Sequence, residues 1–163
     1  MRNLTQSLVD GRINVADWQA QMMQAIKSTH LVGLAAGNGG WNSLNQSDYG
    51  WAGQRIRQQY AYLRDFAGQL VSGKQPLNGT AVARAALYAE AARQTHRAVQ
   101  RRAAQQRGME QERNQLGAAD HCGGCLNATS QGWVEIGTLT PCGSRQCMSR
   151  CHCVLIYRMA PAA

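Results

Sequence analysis

The sequence predicts a mainly α-helical protein that ends in a small zinc-bound β-hairpin. Apolar residues recur at steps of three or four along the first half of the chain, which is the period of an α-helix. A segment rich in alanine and arginine follows. All six cysteines then lie between Cys122 and Cys153. These three observations predict a helical domain over residues 1–116, with three or more helices, and a cysteine-rich module over residues 117–163.

The first helices are predicted from their apolar stripes. Residues 1–13 favour a short helix that ends near Gly11, because glycine is a weak helix former. A longer helix is predicted from Val15 to Ala35, with Asn14 as its N-cap. Its stripe consists of Trp18, Met22, Ile26 and His30. The glycine-rich stretch over residues 35–40 is expected to end this helix.

The next helix is expected to begin at Ser47 or Asp48, either of which is a good N-cap, and to end at Gly73. Its apolar residues again follow steps of three or four, so they form one face. These residues are Tyr49, Ala52, Ile56, Tyr60, Leu63, Ala67 and Leu70.

The third predicted helix is long and basic. Thr80 is its expected cap, and ten alanines between Ala81 and Ala104 give it high helix propensity. The sequence leaves open whether it continues through Gly108 towards Gly117. The chain has a net charge of +8, and fifteen of its seventeen basic residues are arginines. Because arginine suits bidentate contacts with phosphate or carboxylate, an anionic partner is expected. The candidate contacts are Arg93, Arg97, Arg101 and Arg102.

Two short strands are predicted over residues 132–139 and 153–159, where β-branched and aromatic residues cluster. The loop between them contains Pro141, Gly143 and Ser144. The expected arrangement is a hairpin, with a pair of cysteines at each end of it.

The stretch Cys122-Gly-Gly-Cys125 has the spacing of a zinc knuckle, because two glycines allow a sharp turn between two thiolates. A structural zinc needs a second pair of ligands some way along the chain, and twenty-one residues separate Cys125 from Cys147. The predicted ligands are Cys122, Cys125, Cys147 and Cys151, with Cys153, Cys142 and His152 as alternates. Cys151 and Cys153 are not expected to share one metal, because the interpretation places them in a strand with their side chains on opposite faces.

Other chemistry is less favoured by the sequence. Disulfides are the main alternative to zinc, but no secretory leader pattern is visible, and in the cytosol clustered cysteines more often bind metal. A redox CxxC motif is expected at the start of a helix in a βαβ unit, whereas here it is expected between a helix and strands. Adjacent His152 and Cys153 do not form a catalytic pair. No run of eighteen apolar residues predicts a membrane span. We therefore expect no enzymatic activity and no membrane partner.

The chain resembles the minor head proteins of tailed bacteriophages, a family of head-morphogenesis proteins. The resemblance rests on GRINVADWQAQMMQAIKSTH, on IRQQYAYLRDFAGQLVSG with the arginine-rich helix after it, and above all on DHCGGCLNATSQGWVEIGTLTPCGSRQCMSRCHCVLIY. It implies a small metal-binding hairpin whose recurrent positions fall on Cys122, Cys125, Cys151 and Cys153, with Cys147 close to where many relatives have a histidine or cysteine. Ser149-Arg150 stands where relatives commonly have Pro-Asn.

The resemblance also implies where the protein acts. It implies synthesis in the host cytoplasm and a place in the virion, at the head or the head-tail region. The implied partners are portal or capsid proteins, further copies of the chain within the particle, and packaged DNA contacted without sequence preference. The alternative function is a zinc-ribbon nucleic-acid-binding protein. The residues that favour this alternative are Arg145, Arg150, Arg158, Trp133 and Tyr157.

Overall fold

The computed structural model describes residues 1–148 and 151–161. Over these residues the protein is mainly helical, with a small three-stranded antiparallel sheet towards the C-terminus, so the predicted fold class is confirmed. The helices are α1 Arg2–Val9, α2 Val15–Asn38, α3 Gln46–Val71, α4 Gly79–Gln106 and α5 Gly123–Ser130, and the strands are β1 Gln111–Gln115, β2 Val134–Glu135 and β3 Val154–Arg158.

The chain forms two compact units, Met1–Thr95 and His96–Ala163, and the division falls within α4. The predicted division into residues 1–116 and 117–163 stays a prediction. None of the helices formed by the described residues has the length and hydropathy needed to cross a bilayer.

The N-terminal unit is built around an apolar core. Trp18 and Phe66 are fully buried and meet edge to face, with their ring centroids 5.2 Å apart. The indole N–H of Trp18 donates to Thr5 Oγ1 at 3.0 Å, so its one polar atom is satisfied inside the core. The other buried members of the core are Leu8, Met22, Ile26, Leu63, Ala67, Ala81, Ala85 and Tyr88. The apolar stripes that predicted the helices therefore face one another.

The helix boundaries agree closely with the sequence predictions in this unit. Asn14 caps α2 by accepting from the Asp17 N–H at 2.8 Å, as predicted. Gly39 ends α2 in the left-handed region at φ +91°, where glycine is favoured. The predicted start of α3 was wrong by two or three residues. Asn45 is its N-cap, and Asp48 completes a capping box from the first turn.

A buried polar pair accompanies this core. His30 is 1% exposed, and its Nδ1 lies 2.8 Å from Thr95 Oγ1, while its Nε2 has no hydrogen-bond partner among the described residues. Burial, aided by the positive charge of Arg55, lowers the pKa of His30 to about 4. The imidazole is therefore neutral at physiological pH.

The long basic helix does not continue through Gly108. Helix α4 ends at Gln106, and Gly108 adopts φ +78°, which turns the chain away from the helix. Residues Gln111–Gln115, which the sequence placed in a possible helical extension, form β1 instead. This resolves the question that the sequence left open, and it places the central strand where none was predicted.

The sheet has the order β2-β1-β3, so the two predicted strands do not pair with each other as a hairpin. Both pair with β1, in the antiparallel sense. Glu112 lies opposite Val134 on β2 and opposite Tyr157 on β3. The hairpin prediction was wrong because β1, with the sequence QERNQ, carries no apolar alternation. Its two buried residues are Glu112 and Asn114.

Candidate metal centre

The CxxC motif lies at the start of α5. Cys122 is the N-cap of this helix, and the Cys125 N–H donates to the Cys122 carbonyl at 2.9 Å. The expectation that the motif would stand apart from any helix start was therefore wrong. The adjacent sheet is antiparallel, however, so the βαβ setting of a redox CxxC motif is not formed by the described residues.

Two triads of sulfur atoms share Cys125. The Sγ atoms of Cys122, Cys125 and Cys147 lie within 4.8 Å of one another, and so do those of Cys125, Cys151 and Cys153. Cys125 Sγ is 3.5 Å from Cys147 Sγ and 3.9 Å from Cys151 Sγ. Each triad could hold a metal ion. The four predicted ligands are all present in this cluster, although they do not form a single group of four within 4.8 Å.

Cys151 and Cys153 sit on the same side of the cluster. They precede β3, in a segment without strand structure, and both are buried. Even within a pleated strand, residues two apart face the same way, because successive side chains alternate between the two faces. The reason for excluding Cys153 from a site with Cys151 was therefore wrong.

The alternate metal ligands predicted from the sequence differ in their surroundings. Cys142 is buried but donates to Asn114 Oδ1 at 3.5 Å and belongs to neither triad. The side chain of His152 is exposed, while its backbone carbonyl packs against Gly117 so closely that a Cβ there would clash. His121, which is not among the predicted ligands or alternates, has its Nδ1 3.8 Å from Cys153 Sγ. Its position beside the CxxC motif was the signal that could have identified it.

A buried arginine contacts the cluster. Arg145 is 6% exposed, and its Nη1 lies 3.7 Å from Cys125 Sγ. The same Nη1 donates to Asn114 Oδ1 at 2.7 Å, and Nε donates to the Thr140 carbonyl at 2.9 Å. Nη2 is buried without a hydrogen-bond partner among the described residues. Sequence reasoning had placed Arg145 on a nucleic-acid surface, but the side chain faces the interior.

The thiols titrate differently because their surroundings differ. Burial raises the pKa of Cys125 well above its ordinary value, although the Arg145 side chain opposes this effect. Burial also acts to raise the pKa of Cys151, but hydrogen bonds from the Cys153 backbone and the Cys147 side chain outweigh it and lower that pKa to about 7. Hydrogen bonds from Cys125 and Cys147 likewise lower the pKa of Cys122 to about 7 against the effect of desolvation. Cys122 and Cys151 therefore lose their protons more readily than ordinary thiols.

Three of the predicted anion-binding arginines, Arg93, Arg97 and Arg101, contact other groups of the same chain. Arg93 pairs with Glu90 at 3.3 Å, and Arg97 Nη2 donates to the Cys151 carbonyl at 2.8 Å. Arg101 Nε lies 2.9 Å from Glu112 Oε2, and Arg102 is half-buried. The role of these four residues in binding an anion stays a prediction.

The ion pair of Arg101 explains the buried carboxylate in the sheet. Glu112 is 0% exposed, and its Oε1 accepts from the Leu139 N–H at 2.8 Å, while Arg101 also donates to the Leu139 carbonyl at 2.7 Å. One paired charge therefore joins α4, β1 and the loop after β2. Sequence reasoning missed it because a glutamate in a polar segment carries no sign of burial.

The opposite face of the sheet carries an arginine–tryptophan stack. The guanidinium carbon of Arg158 lies 4.2 Å from the Trp133 ring centroid, and that of Arg113 lies 5.1 Å from it. Neither arginine has a carboxylate within ion-pair distance in the part of the chain that the structure describes. Arg150, the other basic residue predicted here, lies outside the described residues.

Comparison with known proteins returns nothing: neither a family model nor a curated protein nor a solved structure matches this chain.

Proposed function

We propose that the C-terminal unit is held together by structural zinc bound to its cysteine cluster. We further propose that the protein is a non-enzymatic head-morphogenesis component of a tailed-phage virion. The zinc site is supported by the geometry of residues His96–Ala163. The place in the virion is supported by the sequence resemblance.

The observation that carries the zinc proposal is the position of Arg145. A buried guanidinium is costly unless a negative group compensates it. Among the described residues, no carboxylate lies within ion-pair distance of Arg145, while the Cys125 thiol lies 3.7 Å from its Nη1. Four thiolates on one Zn²⁺ leave a net negative charge. A zinc–thiolate centre therefore supplies the counter-charge that neutral thiols do not.

The sulfur spacing supports the same assignment. With Zn–S bonds of about 2.3 Å, the sulfurs of a tetrahedral site lie about 3.8 Å apart. The two distances from Cys125, 3.5 Å and 3.9 Å, bracket this value. A disulfide requires about 2.05 Å between sulfurs, and all six cysteines are free thiols in the structure. All-thiolate donors favour zinc over Mg²⁺ or Ca²⁺.

A structural role fits the composition of this unit. Its buried cluster consists of Cys125, Cys142, Cys151 and Cys153, and the partly buried apolar residues packed on it include only Leu116 and Leu155 besides cysteines. Such a small apolar core contributes little burial energy. Metal binding supplies folding free energy directly in modules of this kind.

The zinc proposal is tested by loading the full chain with zinc under reducing conditions and comparing wild type with Cys125→Ser. We expect bound zinc in the wild type and its loss in the variant, with Thr138→Ser, a substitution at an exposed residue, as the matched control. Equal metal content in wild type and Cys125→Ser would contradict the proposal.

The virion proposal is tested separately, on particles purified from cells that express this chain together with the portal and capsid proteins of a tailed phage. We expect the chain to co-sediment with assembled heads and to be detected by mass spectrometry after a high-salt wash. Its presence only in the soluble fraction, with heads that assemble normally in its absence, would contradict a role in head morphogenesis.

One observation favours the second candidate, nucleic-acid binding. The stack of Arg113, Trp133 and Arg158 presents two guanidinium groups that carry no ion pair, and such groups can contact phosphates. The test is fluorescence anisotropy with single-stranded and duplex DNA at several salt concentrations. Joint replacement of Arg113 and Arg158 by alanine should reduce affinity much more than Arg107→Ala, since Arg107 is exposed and outside this stack. An equal loss of DNA affinity in the double variant and in Arg107→Ala would contradict binding at this stack.

A further inference from the structure

We propose that the cysteine cluster holds two zinc ions rather than one, and this inference rests on the proposed zinc-binding function. Cys122, Cys125, Cys147 and Cys151 would bind the first ion. Cys125, Cys151, Cys153 and His121 would bind the second ion. Cys125 and Cys151 would bridge the two ions.

The two overlapping triads are the first reason. A single tetrahedral ion uses four donors, but five thiols gather here, and Cys125 is a member of both triads. We assign Cys151 as the other bridging sulfur. It belongs to the second triad and lies 3.9 Å from Cys125, the sulfur that both triads share. Two tetrahedra that share an edge need six donors.

His121 supplies the sixth donor. Its Nδ1 lies 3.8 Å from Cys153 Sγ. Two ligands of one zinc ion, a thiolate and an imidazole, lie about 3.5 Å apart when the bonds have their ordinary lengths of about 2.3 and 2.0 Å. The distance therefore suits two ligands on one ion. His152, which directly precedes Cys153, is exposed and has no such contact with a thiol among the described residues.

The charge balance is the third reason. Five thiolates and two Zn²⁺ ions leave one negative charge, since the imidazole is neutral as a ligand. Arg145 carries one positive charge and contacts Cys125, a bridging sulfur. The buried centre would thus be neutral as a whole. A single zinc would instead leave Cys153, which is 1% exposed, as a spare buried thiol beside the metal.

The test is the zinc content of the full chain, purified under reducing conditions and measured by native mass spectrometry and by elemental analysis. We expect two zinc ions per chain. His121→Ala and Cys153→Ser should each lower the content to one, and His152→Ala, the matched control, should leave it at two. One zinc in the wild type would overturn this inference while the proposed function stands. No zinc would overturn both.

A second measurement does not depend on the variants folding. The wild-type chain is loaded with ¹¹³Cd²⁺ and examined by ¹¹³Cd NMR. Bridging thiolates predict two resonances that are scalar-coupled to each other, one from an all-sulfur site and one from a site with a nitrogen donor. A single resonance, or two without coupling, would overturn the shared Cys125 and Cys151.

Discussion

The two compact units of this protein are stabilised in different ways. Met1–Thr95 buries an aromatic and aliphatic core around Trp18 and Phe66, so apolar burial holds it together. His96–Ala163 buries thiols, a carboxylate and a guanidinium beside a few aliphatic side chains such as Val99 and Leu139. Agents that remove metal should therefore act on the second unit alone, while core mutations should act on the first. Each unit should therefore be open to destabilisation without the other.

The largest expected effect is on the C-terminal unit when its central thiol is lost. Cys125→Ser should unfold the sheet region, because structural zinc contributes on the order of 10 kcal/mol in small modules. In two-dimensional NMR, the signals of residues 96–161 should lose dispersion while those of residues 1–95 are retained. Loss of signal dispersion across both units would contradict the claim that the two units are stabilised separately.

The converse experiment acts on the N-terminal unit. Phe66→Ala removes a fully buried ring that contacts Trp18, so it should lower the free energy of unfolding of this unit by about 3–5 kcal/mol. Leu87→Ala, at a residue that is largely exposed, should change it by less than about 0.5 kcal/mol. Urea denaturation followed by circular dichroism measures both. Zinc content should be unchanged, and its loss in Phe66→Ala would contradict independent stabilisation.

A smaller effect is expected from Arg145→Met, which keeps the volume of the side chain but removes its charge. Groups that contact metal ligands typically change metal affinity by about 10–100-fold, and we expect a loss of this size in competition with a chromophoric chelator. Arg107→Met is the control, since Arg107 is exposed. An unchanged affinity in Arg145→Met would show that the buried guanidinium does not compensate the thiolates.

An effect of similar size concerns pH and the stability of the first unit. His30 has a pKa of about 4 in the folded protein against an ordinary value of 6.5, so the unfolded chain binds the proton more readily between these values. Stability should therefore be complete above about pH 6.5 and fall as the pH drops towards 4, by on the order of 1–3 kcal/mol. His30→Gln should flatten this dependence in thermal unfolding followed at several pH values. If the stability of His30→Gln depended on pH as steeply as that of the wild type, the dependence would belong to other groups.

The sequence predicted the helical unit well because its physical cause is local. Trp18, Met22 and Ile26 recur at the helical period, and Asn14 is a strong cap, so the element and its start follow from nearby residues. The cysteine cluster was also predictable, from the spacing of Cys122, Cys125 and Cys147. Both signals depend on short separations along the chain.

The sheet and the finer site geometry were not predictable in this way. Strand β1 owes its conformation to partners more than twenty residues distant, since Glu112 bonds to Leu139 and lies opposite Tyr157. Arg145 was assigned to the surface because arginine is usually exposed. His121 was not among the predicted ligands, because its contact with Cys153 spans thirty-two positions. Long-range contacts decide each of these cases.

The most direct test of the central claim is a count of reactive thiols and bound zinc before and after chelation, on the full chain kept under reducing conditions. If zinc holds the C-terminal unit, the purified protein should contain at least one zinc per chain. At least four of its six cysteines should then become reactive only once the chelator has removed the metal. A protein without zinc, whose thiols react equally before and after chelation while the sheet stays folded, would contradict the account.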